Sequence, residues 1–353
     1  MNPPSDPTAM NTCQSASGTP PGTAAIYRNF GLVEAPGSSP CYAEWTLGIS
    51  EDPQVLELID TLPAPKRQPN LVLAAARLLG APIGSYAGFR SFLLQHWSSI
   101  RDIALARSTQ TNEAGRCAAL LPVLASIAEA EGKPLALIEA GASAGLCLFP
   151  DKFSYQYDGG PRLDPAGGPG AAVLECTTTG NVPIPHAIPE IGWRSGIDLN
   201  PLDVKSPEDA AWLEALVWPE QEFRRRRLRA ALEVARLDPP RLIAGDVNEH
   251  IEALVRSAPE DCAVVVFHSA VLPYMPQHSR EQFVEAMHRL PCHWISNEGS
   301  GVLPQNEAGG VLPEVAGRLA DLKSEAKGRF ILALDGQPLA LTGPHGQSLQ
   351  WLG

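Results

Sequence analysis

One stretch limits the fold more than any other: Leu135 to Phe149, reading LALIEAGASAGLCLF. Its opening apolar run, Leu135-Ala136-Leu137-Ile138, has the length and character of a strand buried on both faces. The run ends in an acid, Glu139. Gly141-Ala142-Ser143-Ala144-Gly145 follows, then a second apolar run. Strand, tight glycine turn and helix start is how open α/β sheets present a loop to a ligand at their carboxyl edge. Glycine is needed where the backbone takes positive φ or where another group must approach closely. An ordinary turn without a ligand uses the same residues.

Gly141-x-Ser143-x-Gly145 also fits a second template, the nucleophile elbow of α/β-hydrolases. There Ser143 would attack an acyl carbon. Chain order supplies Asp198 or Asp246 and then His268 or His345 for such a triad. Against it, the sequence before Leu135 reads as helical, whereas a hydrolase nucleophile follows several strands.

Composition narrows the partners. The chain has 353 residues, enough for about two domains. It is 44% hydrophobic with a formal net charge of -12. That charge opposes nucleic acid or an anionic membrane as partner, since both need clustered positive charge. The run Arg224 to Arg227, with Arg229, reads as the solvated face of a helix or as a local anion site. The 7 cysteines are odd in number and form no Cys-x-x-Cys pair, which points to free thiols and a cytoplasmic location. No run reaches the length of a membrane span. No His-Glu-x-x-His occurs, and no metal is expected. Residues 1–23, rich in Pro, Ser, Thr and Gly, read as a disordered tail without a signal peptide.

From residue 24 to 133 the pattern is helical, broken by Pro and Gly, and is expected to form a lid domain. Asn112, Glu113 and Arg116 sit in a polar segment just before the central strand, where helix capping and ligand contact both fit. Residues 134–353 repeat strand and helix. Apolar runs end at Asp198, Asp246, His268-Ser269 and Asn297-Glu298, so these polar groups gather at one sheet edge. Ser269 is a candidate for substrate contact, and His268 and Glu298 are candidate bases. A Gly/Pro-rich insertion at about 150–192 interrupts the repeat, with two short strands expected in it. A hairpin turning at Asp335-Gly336 closes the chain.

Glu139-x-Gly141-x-Ser143-x-Gly145, Gly196-Ile197-Asp198 and Gly245-Asp246 together resemble a class I S-adenosylmethionine-dependent methyltransferase. The resemblance covers roughly residues 134–353. It implies a Rossmann-like, doubly wound, mostly parallel sheet of seven strands with a terminal antiparallel hairpin. It implies S-adenosylmethionine as cofactor. Glu139, Gly141, Ser143 and Gly145 would hold its methionine part, Asp198 its ribose and Asp246 its adenine. The methyl acceptor, a small molecule or a protein, is not specified. Ser143 departs from the family's glycine. Asp198 follows Gly145 by 53 residues, where about 20 is usual, so the insertion has to be subtracted. A non-catalytic nucleotide-binding protein is a further alternative. The phrases TQTNEAGRCAALLP, GIDLNPLDV, VVFHSAVLPY and ALTGPHGQSL resemble a bacterial family known only as a domain of unknown function.

Overall fold

The computed structural model describes residues 22–110, 112–300, 302, 322, 325–326 and 328–352. Residues 1–21 of the expected tail lie outside the described residues. The helices are α1 (Thr23–Asn29), α2 (Pro40–Ser50), α3 (Pro53–Asp60), α4 (Pro69–Leu78), α5 (Tyr86–Ala106), α6 (Cys117–Glu131), α7 (Pro207–Leu216), α8 (Glu222–Leu237), α9 (Val247–Arg256) and α10 (Gln277–Arg289). The strands are β1 (Leu135–Ala140), β2 (Ser154–Tyr157), β3 (Arg162–Leu163), β4 (Val173–Thr179), β5 (Ile191–Asp198), β6 (Arg241–Ala244), β7 (Ala263–Ser269), β8 (His293–Gly299), β9 (Phe330–Leu334), β10 (Gln337–Thr342) and β11 (Ser348–Trp351).

The chain divides into two compact units. One takes in the described residues up to 110 together with Ser206–Arg226. It is helical, and its helix starts are written locally. Ser39 accepts from the Tyr42 amide and Asp52 from the Val55 amide, each followed by a proline at the first helical position. Trp45 stacks on Phe89 with ring centroids 4.0 Å apart, and Trp218 packs on Tyr42 at 5.7 Å. The second unit takes in Asn112–Lys205 and the described residues from Arg227 onward. Asn112 to Glu131, read above with the helical part, thus belongs with the sheet.

The sheet has 11 strands in the order β3-β2-β4-β11-β10-β9-β8-β7-β1-β5-β6. The five strands β8-β7-β1-β5-β6 are parallel, in the doubly wound order that runs outward from β1 in both directions. β1 lies at the centre with all six residues buried, which is why it reads as a continuous apolar run. Isoleucine and alanine at 138 and 140 join a core with Val266, Trp294, Ile251 of α9 and Phe283 of α10. Alternation then sends Glu139 to the opposite face, where α6 packs beside β7 and β4. The closing hairpin is present: β9 runs antiparallel to β8 and to β10.

The sheet differs from the seven strands expected. β11, too short to show periodicity, pairs with β10 and then with β4 in parallel. The residues read as an insertion are therefore not a separate appendage. They supply three strands, β2, β3 and β4, that extend the same sheet past β11. Covering the β11 edge satisfies backbone groups that an exposed edge leaves open. The same segment repairs α6. Pro122 cannot donate to the Ala118 carbonyl four residues back, and the Tyr157 hydroxyl donates to it instead at 2.8 Å.

Candidate functional site

The direction of winding reverses between β1 and β7, and open α/β sheets bind ligands in the crevice outside the strand ends at such a point. The loop after β1 turns through three left-handed residues: Gly141 at φ +72°, Ser143 at +51° and Gly145 at +70°. Both glycines are needed for packing as well as for φ. A Cβ on Gly141 would lie 2.4 Å from Val271, and one on Gly145 would lie 2.8 Å from Pro240. Pro150 ends the following apolar run, leaving only the short turns Leu146–Leu148 and Pro150–Lys152. No long helix begins at this loop, so it lacks the aligned dipole that usually favours anions.

Its backbone donors are engaged as well. The amides of Gly141 and Ala142 donate to the Ile197 carbonyl, and that of Gly145 to Ala142. The Ser143 amide donates to Asp198 Oδ2 at 2.8 Å, and the Leu146 amide to Asn112 Oδ1 at 2.8 Å. Asn112 also donates to the Ala142 carbonyl at 2.7 Å. Asn112 therefore clamps the loop from both sides. Asp198 braces it from β5, while its Oδ1 accepts from the Asn200 amide. Asp246 caps α9 by accepting from Asn248.

Two acceptors in and beside this loop have no partner. Glu139 Oε2 and Ser143 Oγ are buried and make no hydrogen bond. Burial pushes the Glu139 carboxyl well above its usual range, the neighbouring Cys147 and Asp198 add to the rise, and Arg116 pulls against it. Such buried, unsatisfied groups are costly in a native protein and call for a partner, an ordered water or a ligand. Ser143→Gly tests one of them. It removes an unsatisfied hydroxyl and left-handed strain of roughly 1–2 kcal/mol, against a glycine entropy cost of about 0.5–1 kcal/mol. The expected result is a protein as stable as the parent or slightly more so. A thermal unfolding midpoint several degrees lower would show that Oγ has a structural partner.

Arg116, Glu113, Arg227 and His345 form a polar layer beside these acceptors. Arg116, 6% exposed, donates to the Pro344 carbonyl at 2.9 Å and the Ser269 carbonyl at 3.0 Å, with Phe330 beneath it. Glu113 caps the Gly115 amide and takes both Nε and Nη2 of Arg227 at 2.8 Å. His345 Nδ1 stands 3.7 Å from its other oxygen. Arg227 was missed in the sequence because it stands in a basic run read as the solvated face of a helix or as a local anion site, not as an ion-pair partner. Arg226 and Arg229 are exposed, but Arg224 is buried and Arg227 is held by Glu113. The available signal was glycine: Gly115 and Gly346 pack so closely that a Cβ on Gly346 would fall 2.0 Å from the Gly115 carbonyl.

His268 and Glu298 do come together. Nδ1 of His268 donates to Glu298 Oε1 at 2.7 Å, and its Nε2 accepts from the Trp294 indole at 3.0 Å. Both nitrogens are thus engaged, and the ring is fully buried. It has no free lone pair with which to act as a base. Glu298 Oε1 also accepts from the Val271 amide at 2.9 Å, while Oε2 is buried without a partner. Ser269 Oγ accepts from Asn297, whose side-chain carbonyl accepts from Thr342. Among the described residues, no three His, Cys, Asp or Glu side chains gather as metal ligands, and no helix is long and apolar enough to cross a membrane.

A large, mostly parallel sheet covered by helices, with its polar groups collected at the carboxyl edge, defines a mixed α/β protein. More particularly, the chain belongs to the bacterial family described as "Uncharacterized protein conserved in bacteria (DUF2332)", whose model matches residues 24–351. No curated protein matches it.

Proposed function

We propose that this protein binds S-adenosylmethionine at the carboxyl edge of β1 and is a methyltransferase-like enzyme. One observation carries the reading: the edge offers buried acceptors without partners, while the donors of its glycine loop are engaged. A phosphate needs free amide donors at such a loop, and five of these amides already donate within the chain. Dinucleotides and nucleoside triphosphates therefore suit the site poorly. S-adenosylmethionine carries no phosphate and brings an ammonium, a hydrogen-bond donor that suits the unpartnered Glu139 Oε2. Glu139 and Ser143 would hold the methionine part, Asp198 at the end of β5 would meet the ribose, and Asp246 just past β6 would meet the adenine. Bound there, the cofactor supplies an electrophilic methyl group. With His268 engaged on both nitrogens, Glu298 is the better candidate for a proton acceptor. Isothermal calorimetry with S-adenosylmethionine and S-adenosylhomocysteine tests the reading. Saturable binding is expected, and no heat at millimolar ligand would remove it.

The left-handed backbone at Ser143 favours one other reading, a serine hydrolase, since a nucleophile elbow is strained in this way. Ser143 Oγ has no hydrogen bond to a histidine, so that reading lacks its base. No labelling by a fluorophosphonate probe is expected. Stoichiometric labelling lost in Ser143→Ala would establish the hydrolase instead.

A further inference from the structure

Trp294, His268 and Glu298 form a buried hydrogen-bonded chain on the α10 side of the sheet, where the His268 ring meets Phe283 edge to face at 5.4 Å. One group sets its direction. An indole N–H can only donate, so His268 Nε2, 3.0 Å from it, carries no proton. The ring proton therefore sits on Nδ1 and is donated to Glu298 Oε1 at 2.7 Å. Two backbone amides join it on the same oxygen, Val271 at 2.9 Å and Leu272 at 3.4 Å. The turn that brings them there starts at Ala270, which is left-handed at φ +58° without being a glycine. Such backbone persists only where the surroundings over-determine it, and it clusters at functional sites. Val271 also abuts the glycine loop, 2.4 Å from where a Cβ on Gly141 would lie.

Oε2 of the same carboxyl is buried and has no hydrogen bond among the described residues. A carboxyl kept only to hold the turn would share its donors between both oxygens, since an acceptor left bare in the interior is costly. Here all three donors go to one oxygen. We propose that Trp294 and His268 are positioning residues: with the Ala270 turn they fill Oε1 of Glu298, so that Oε2 is its open acceptor for a proton-bearing nitrogen or oxygen of the bound substrate. The substrate class this selects is a hydrogen-bond donor, an amine before a carboxylate or phosphate, because an oxyanion brings only acceptors and would leave Oε2 unsatisfied. The inference rests on the cofactor reading only in taking that substrate to be the methyl acceptor.

The test needs no cofactor. Ring-nitrogen NMR on the histidine-labelled full-length protein at neutral pH should show His268 with its proton on Nδ1 alone, and that proton well downfield. A proton on Nε2, or on both nitrogens, would overturn the proposal. Glu298→Gln offers one oxygen instead of two. The donors should hold that oxygen at the Oε1 position, so the Nδ1 proton keeps its bond and its resonance moves upfield toward a weaker, neutral acceptor. Loss of the resonance would mean that the amide has turned and that Oε1 is not the anchored atom, which overturns the proposal. Trp294→Phe keeps an aromatic ring and removes the indole donor, so a second N–H signal should appear at Nε2; an unchanged spectrum would reduce Trp294 to packing. Methylammonium chloride should shift the Nδ1 proton of the parent and not that of Glu298→Gln, while sodium acetate at equal ionic strength should shift neither. No difference between the two salts would overturn the donor class. Should a variant fail to fold, the parent's tautomer and its response to the two salts decide the matter. Failure here leaves the cofactor reading in place, and failure of S-adenosylmethionine to bind leaves these spectra as expected.

Discussion

Glu113→Ala is expected to lower the unfolding free energy by about 3 kcal/mol, the lower end of the range for breaking a buried ion pair from one side. Glu113 is 5% exposed and holds three donors on one oxygen: the Gly115 amide and the Nε and Nη2 of Arg227. Its removal takes a carboxylate away from a guanidinium whose side chain is only 13% exposed. That residual exposure lets some water in and is why the lower end applies. Glu113→Gln keeps an acceptor for Gly115 and for Arg227, so it should cost about half as much. Urea denaturation of both variants reads the difference. A loss under about 1 kcal/mol in the alanine variant would place the pair among ordinary surface salt bridges.

Gly141→Ala should be nearly as damaging. Its φ of +72° imposes left-handed strain on any side chain, roughly 1–2 kcal/mol. The new Cβ would lie 2.4 Å from Val271 Cγ2 and 3.0 Å from Cγ1. Valine is stiff about χ1 and cannot swing aside cheaply, and overpacking of this kind typically adds about 1–3 kcal/mol. Gly132 provides the control. It too is left-handed, at φ +61°, yet a Cβ there meets nothing within 4 Å. Gly132→Ala should therefore show the strain alone. Equal losses in the two variants would mean that the Val271 contact is absent in solution.

Much of the fold was legible because it is written at short range. The central strand, Leu135 to Ala140, is apolar because both faces are covered. The glycines at 141 and 145 stand where φ is positive. Ser39-Pro40 and Asp52-Pro53 announce their helices. What could not be read depends on partners far away in the chain. Four residues of β11 carry no periodicity, and their place is set by pairing with β4, about 170 residues earlier. Nothing in a run of arginines distinguishes Arg227, which meets Glu113, from Arg226, which is exposed. The polar groups at the strand ends were identified as a set, but not which of them satisfy one another. Asn112 and Asp198 support the loop, His268 is held between Glu298 and Trp294, and Glu139 and Ser143 are left with unpartnered acceptors.

The most direct measurement is equilibrium dialysis of radiolabelled S-adenosylmethionine against the full-length protein and its Glu139→Gln variant. The carboxyl of Glu139 is the buried acceptor to which the ligand is assigned, and glutamine preserves its shape while replacing one oxygen with an amide nitrogen. The expected result is saturable binding to the parent, weakened about 10- to 150-fold in the variant, with both proteins folded by circular dichroism. Equal binding to the two proteins, or no binding to either at millimolar ligand, would contradict the assignment.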